Sequence, residues 1–285
     1  MVSVIMPCYN DGVYIQKSIN SVLGQTYKNI ELIIVNDGST DKNTLDILET
    51  LNDDRINVYH TNRLKPAGAR NYGIKQSRGE YILPLDADDI IDFSYVEKAE
   101  KVLSGDQRIG AVYCEAELFG KKKGKWKLQE YSLKRMLVDN IVFVTTLFRK
   151  EDWQQIGGFD ESLQYGMEDY DFWLSILEMG KDIYQIPEVL FYYRIKSDSR
   201  TTQFMRDKEK IKETYLKIYK NHPKLYQNYK EEYAVALRNA YIDKVFTIYR
   251  IIEVRNKLKW VLKVFELPGL KKYYGNLFAE LKNGN

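Results

Sequence analysis

Tyr81-Ile82-Leu83-Pro84-Leu85-Asp86-Ala87-Asp88-Asp89 is an apolar strand that runs into three carboxylates within four residues. Turn residues commonly bound a strand, so one or two acids there are ordinary. Three together repel one another and call for a compensating cation. Paired hard oxygen ligands suit Mg²⁺ or Mn²⁺, ions that keep open positions for substrate phosphates. The plain alternative is a solvated acidic turn that caps the next helix.

Upstream, Val2-Ser3-Val4-Ile5-Met6-Pro7 is a short buried-strand pattern, and Asn10-Asp11-Gly12 offers turn and cap chemistry. Val13, Ile15, Ile19, Val22 and Leu23 recur at helical spacing. A second apolar strand, Ile30–Val35, ends in Asn36-Asp37-Gly38-Ser39, and the following helix runs through Leu51. Ile56–Tyr59 predicts a third strand and Ala67–Gln76 a third helix. Strands alternating with helices of 10–15 residues predict an α/β fold, Rossmann-like, with a mostly parallel central sheet and helices on both faces. Ligands of such sheets sit beyond the carboxyl ends of the strands. Three polar clusters occupy those ends: Tyr9-Asn10-Asp11, Asn36–Ser39 and Asp86–Asp89. Their convergence predicts a nucleotide site.

No Gly-x-Gly-x-x-Gly and no phosphate-binding Gly-Lys-Ser/Thr loop follows the first strand, which disfavours hydride transfer and phosphate-loop ATP hydrolysis. Phosphate binding then falls to a metal and to basic side chains such as Arg63, Lys65 and Arg70. Small residues in Pro66-Ala67-Gly68-Ala69-Arg70-Asn71 let a backbone or ligand approach a helix start.

Ser3–Asn10, Glu31–Asp41, Gly68–Gly73, Leu85–Asp89, Gly157-Gly158-Phe159-Asp160-Glu161 and Glu168-Asp169-Tyr170-Asp171-Phe172 together resemble the motifs of family 2 glycosyltransferases, in order, over roughly residues 1–200. The resemblance implies a GT-A fold, a nucleotide-sugar donor (usually uridine-linked), Mn²⁺ or Mg²⁺, and inverting transfer; a saccharide or lipid-linked hydroxyl is the expected acceptor. The resemblance also implies that Pro7, Tyr9 and Asn10 line the nucleotide site, that Asp37 bonds the base, and that Arg70 lies near the nucleotide. Asp86 would meet the ribose or the metal, Asp88 would ligate the metal, and Asp169 would be the catalytic base. The chemistry agrees: the departing phosphate gains negative charge, which a cation neutralises, and the attacking hydroxyl must lose a proton to a carboxylate. Adjacent helical positions do not share a face. Asp169, beside the apolar stripe Tyr170, Trp173, Leu174 and Leu177, is therefore expected in the cleft, and Glu168 on another face. The ordinary role of acids in a first helical turn, complementing the helix dipole, is the alternative.

One departure stands out. Many members of that family carry a histidine two residues after the Tyr-Arg of the last strand; here Tyr193-Arg194-Ile195-Lys196 places a lysine. A protonated lysine cannot ligate a metal but contacts phosphate as a point charge. Arg194, Lys196 and Arg200 are the phosphate candidates, and Trp153, Tyr165 and Glu168 the acceptor candidates, with Trp126 a further aromatic. No Gln-x-x-Arg-Trp signature of processive synthases is present. Two other functions compete. A sugar-nucleotide nucleotidyltransferase would want a Gly-rich basic loop after the first strand. A catalytically silent scaffold of this fold would have shed its acids.

The 285 residues, 44% hydrophobic, suffice for a catalytic domain over 1–200, with a nucleotide-binding half at 1–95 and an acceptor half at 110–200, and a helical extension over 201–285. That extension carries 18 Lys/Arg against 9 Asp/Glu, although the whole chain is only +3. Helices are expected over Asp207–Tyr219, Lys224–Arg250, Ile251–Phe265 and Lys271–Leu281. Mixed apolar and cationic residues over 245–274 predict contact with an anionic membrane surface or, alternatively, packing on the core or pairing into a homo-oligomer. Nucleic acid is disfavoured, since the front half is acidic and no recognised module is present. Cys8 and Cys114 fall in no metal or redox spacing, and there is no basic leader and no run of about 18 apolar residues. A cytoplasmic protein, peripheral on the inner face of the cell membrane, is the expectation.

Overall fold

The computed structural model describes residues 1–196 and 200–264, without the side chains of 200, 201 and 258–264. It divides into two compact units, Met1–Asn228 and Tyr229–Asn285.

The first unit opens with the expected alternation: β1 (Val2–Cys8), α1 (Gly12–Leu23), β2 (Ile30–Asp37), α2 (Lys42–Thr50), β3 (Ile56–Thr61), α3 (Lys65–Gln76) and β4 (Tyr81–Pro84). β1 and β2 are buried along almost their whole length, which is why they read as apolar runs without alternation. β1 pairs in parallel with β2 and with β4, Val2 lying opposite both Ile30 and Tyr81, and β3 extends the sheet beside β2. α3 lies close over this half because residue 73 is glycine. A Cβ there would come within 2.6 Å of the Ile5 Cγ2 and 3.0 Å of the Val35 Cγ2.

The chain continues through β5 (Ile90–Ile91), α4 (Tyr95–Gly105), β6 (Ile109–Gly120), β7 (Gly124–Lys125), α5 (Leu133–Met136), β8 (Leu147–Arg149), α6 (Lys150–Ile156), α7 (Glu168–Glu178) and β9 (Asp182–Ile195). The sheet order is β3-β2-β1-β4-β8-β6-β9-β5, with β7 beside β6. The parallel half agrees with the sequence reading, but β8 runs antiparallel between β4 and β6, so the sheet is mixed. Three residues carry too little pattern to announce a direction, and no crossover helix of parallel-sheet length leads into β8. Trp173 of α7 packs at 5.9 Å ring separation on Phe148 of β8, and the expected stripe Tyr170, Trp173, Leu174 and Leu177 is buried.

α8 (Arg200–Phe204), α9 (Lys208–Asn221) and α10 (Pro223–Asn228) belong to the first unit. The sequence reading places the boundary after residue 200; the compact unit continues to Asn228. Phe204, Ile218, Leu225 and Tyr226 are buried, anchors too widely spaced to stand out among charged neighbours. His222, also buried, bonds Asp171 at 3.2 Å and Glu178 at 3.1 Å and so ties this segment to α7.

The second unit contains α11 (Lys230–Val264), one continuous helix where the sequence reading places a break after Arg250. At 35 residues it is about 52 Å long. Tyr241, Phe246, Tyr249, Ile251 and Val254 are exposed along it. No described helix is long and apolar enough to cross a membrane. The helix expected over Lys271–Leu281, and residues 265–274 of the expected membrane segment, lie outside the described residues.

Candidate active site

The carboxyl ends of β1, β2 and β4 open into a cleft of about 660 Å³. Pro7, Tyr9, Asp37, Arg70, Asp86, Asp88, Arg194 and Lys196 line it, together with Tyr165, Glu168 and Asp169. The topology thus brings residues of all three strand-end clusters, and most of the candidates, to one cleft. Asn10 is an exception. Its side chain accepts from the Thr40 and Asp41 amides at 2.8 and 3.0 Å, so it fastens the loop after β1 to the loop after β2 and does not line the cleft.

On the base side, Asp37 is buried and heavily engaged. One oxygen accepts from the Thr61 hydroxyl at 3.0 Å and the Leu64 amide at 2.5 Å; the other accepts from the Lys65 amide at 2.9 Å and the Arg63 guanidinium at 3.4 Å. A carboxylate has about four lone-pair sites, and these contacts use them all. Arg63 makes the longest of the four and lies 3.3 Å from the Tyr9 ring centroid. A flat cation therefore stacks on Tyr9 and touches Asp37, the two contacts the resemblance assigns to a base. Arg63 and Lys65 both hold positive φ, at 55° and 66°, so Asp37 also fixes an unusual backbone.

Beyond β4, Asp86 and Glu168 grip one guanidinium. Arg70 donates to Asp86 Oδ1 at 2.6 Å and to Glu168 Oε1 at 2.7 Å while only 3% exposed. Burial alone would lower the Arg70 pKa, but Asp86 and Glu168 raise it, so it stays charged. Arg70 thus serves the site by joining β4 to the start of α7, and Glu168 turns inward toward it. The expectation that Glu168 points away from the cleft fails because its charge has a buried partner.

Asp88 faces a second cation. Lys196 Nζ lies 2.9 Å from Asp88 Oδ2 and 2.8 Å from Asp11 Oδ1. Burial opposes the lysine's charge, but its bonds to Asp11 and Asp88 hold its pKa up. The Asp88 pKa is raised, first by burial and then by Asp86, with Lys196 acting against both. Arg194 is held by its backbone amide to Asp89 Oδ1 at 2.8 Å and by its guanidinium to the Asp88 carbonyl at 2.7 Å. Asp86 Oδ2 and Asp88 Oδ1 have no hydrogen-bond partner among the described residues. Two carboxylate oxygens suit Mg²⁺ or Mn²⁺, which take one or two protein carboxylates and complete their shell with phosphates and water. No group of three or more His, Cys, Asp or Glu ligands is assembled among the described residues.

Asp169 sits at the first turn of α7, after Gly166 and Met167, both at positive φ. Its pKa is pushed up to about 6, by burial first and by Glu168 second, against Arg70, the Tyr170 amide and the Asn140 side chain. A carboxylate poised there is ionised at neutral pH and basic enough to take a hydroxyl proton.

Part of the lining is aromatic. Trp126 lies 4.9 Å from Tyr193 and 6.0 Å from Phe143, which in turn packs 4.5 Å from Phe191. Tyr165 is at the rim, with Lys210 Nζ 5.2 Å from its ring centroid. Trp153 is not in the cleft. It is 7% exposed, and its indole N–H donates to Asn71 Oδ1 at 3.1 Å. Asn71 also bonds Phe159 and Glu161, so the Gly157–Glu161 motif and the motif around Arg70 lock together as structure. The Arg200 side chain lies outside the described residues.

Asn140 and Phe143 also line the cleft and carry no sequence signal for it, while Asp11 and Asp89 appear in the sequence reading only as members of strand-end clusters. Asn140 and Phe143 come from an irregular stretch with no periodic signal.

The chain matches the family model described as glycosyl transferase family 2 over residues 3–163. It is 36% identical over 214 residues to an uncharacterized glycosyltransferase of Rickettsia typhi, covering 71% of this chain and 66% of that protein. A similar protein of Rickettsia prowazekii is 35% identical over 228 residues, with 75% and 70% covered. The chain therefore spans about two thirds of the length of these curated relatives. Among solved structures, S. aureus TarS in complex with UDP-GlcNAc has the same fold, at a TM-score of 0.60 and 23% identity over 70% of this chain and 60% of that chain.

Proposed function

This chain belongs to glycosyltransferase family 2, and from that premise we propose that its cleft moves one sugar, with inversion, from a nucleoside diphosphate sugar to an acceptor hydroxyl. The observation that carries the proposal is that Asp169 and the cluster of Asp86, Asp88, Arg194 and Lys196 line one and the same cleft.

Tyr9 and Pro7 offer the base a stacking wall. Arg63 must leave Tyr9 for the base to enter, which frees a lone pair of Asp37 for it. Arg194 and Lys196 face the diphosphate. Asp86 Oδ2 and Asp88 Oδ1 would hold Mn²⁺ or Mg²⁺, which when bound supplies positive charge to the leaving phosphate. Lys196 beside Asp88 opposes a bare divalent ion, so the metal is expected to enter with the nucleotide. In the transfer, Asp169 takes the acceptor proton as the acceptor oxygen bonds C1 and the C1–phosphate bond breaks. A single displacement of this kind inverts the anomeric centre. Arg70, bonded to both Asp86 and Glu168, ties the two carboxyl-bearing elements together. A uridine diphosphate hexose or N-acetylhexosamine is the donor the family favours, and assembly of a surface polysaccharide or glycolipid the setting.

Calorimetric titration with uridine diphosphate tests the donor site. Wild-type protein should bind it more tightly with Mn²⁺ than without, and Asp88→Asn should lose that difference. Mn²⁺-dependent binding that survives in Asp88→Asn removes Asp88 from the metal site.

A further inference from the structure

Residues 121–127, Lys-Lys-Lys-Gly-Lys-Trp-Lys, carry five lysines and no acid. They form the hairpin between β6 and β7, with Gly120 and Gly124 at φ of 90° and 118° shaping the turn. All five lysines are exposed. Lys125 closes on Glu115 at 2.6 Å, but Lys121, Lys122 and Lys123 at the tip make no ion pair among the described residues. Three like charges on one turn repel one another, a cost that a bound anion removes.

The hairpin is continuous with the cleft. Trp126 lines the acceptor wall, its amide bonded to the Ala116 carbonyl at 2.9 Å. The Lys121 amide donates to the Ile195 carbonyl at 3.1 Å, which places the tip one residue along the backbone from Lys196. The Arg194 guanidinium lies 4.2 Å from the ring centroid of Phe119, the second-last residue of β6 before the tip. Positive charge therefore runs from Lys196 and Arg194 onto Lys121, Lys122 and Lys123. Lys196 and Arg194 are spent on Asp88, Asp11 and the donor diphosphate; the tip lysines are not.

We propose that the β6–β7 tip docks the acceptor, and that the acceptor is itself anionic, carrying phosphate or carboxylate groups outside the sugar that enters the cleft. Trp126 then meets the reacting sugar while Lys121, Lys122 and Lys123 hold charges farther along the molecule. This rests on the transferase reading and names the substrate class of the same site.

Labelled short-chain polyphosphate serves as the probe, with the intact chain, low salt and saturating uridine diphosphate to fill the donor site. Wild-type protein should bind it, and added salt should weaken binding. Lys121→Gln/Lys122→Gln/Lys123→Gln should weaken binding at least about tenfold, since it removes all three charges of the tip. The matched triple Lys17→Gln/Lys42→Gln/Lys101→Gln, on exposed lysines elsewhere, should leave it near wild type. Equal affinity in the hairpin variant and wild type overturns the proposal. So does a wild type that ignores soluble polyphosphate but uses the tip to hold phosphatidylglycerol vesicles, which makes the hairpin a membrane contact. Failure of the transferase reading shows separately, as a wild type that binds no uridine diphosphate.

Discussion

Asp169 is governed by two neighbours of opposite sign. Glu168 raises its pKa and Arg70 lowers it, with burial the largest influence. A general base works only when ionised, so activity should fall as pH drops through about 6. Glu168→Gln removes a like charge and should move that acidic limb to lower pH; Arg70→Gln removes an opposite charge and should move it higher. A pH–rate profile of the two variants checks the signs, and limbs that coincide with wild type in both would separate Asp169 from the rate. This part of the site was only half legible in the sequence. The resemblance pointed to Asp169, and its place beside a buried stripe agreed with a position in the cleft. That Glu168 also turns inward depends on Arg70, which lies 98 residues away and enters only through the fold. Asn10, Trp153 and Asn71 show the same limit from the other side. Their types and positions fit a ligand site, but their hydrogen bonds are spent on backbone and on one another.

At the level of elements, the parallel half of the sheet was legible because β1, β2 and β4 are apolar runs, broken only by Ser3 and Glu31, that stop at polar turns. The antiparallel β8 and the mixed acceptor half were not, since short strands and the irregular path from 137 to 146 carry no period. α9 and α10 join the first unit through the buried Ile218, Leu225 and Tyr226 and through His222. Burial lowers its pKa, but Asp171 and Glu178 outweigh this and raise it above the usual 6.5. A group whose folded pKa is raised contributes stability that is present below the unfolded value and lost as pH rises through the folded one. Thermal midpoints should therefore decline above about pH 6.5, and His222→Gln should flatten that decline while lowering the midpoint at pH 6. A decline of equal slope in the variant would assign it to other groups.

Across the whole molecule, two units differ in what they bury. The first surrounds its sheet with apolar residues; the second exposes Tyr241, Phe246, Tyr249 and Ile251 on a helix. The charge bias of the tail was plain in the sequence, but its division at residue 228 was not, because α8–α10 and α11 share the same polar, tyrosine-rich composition. Exposed apolar side chains beside lysines and arginines suit the interface of an anionic bilayer. We expect the intact chain to float with phosphatidylglycerol vesicles at low salt and to detach as salt rises. A chain ending at Asn228 should stay behind. Flotation of both forms moves the contact to the first unit, and flotation of neither leaves α11 as a surface for a second copy. The central claim concerns the cleft, and single-turnover transfer or donor hydrolysis with Asp169→Asn tests it most directly. That variant should keep its uridine diphosphate affinity and lose at least about a hundredfold in turnover, as removal of a general base requires. Wild-type turnover in Asp169→Asn, with donor affinity intact, would contradict the account.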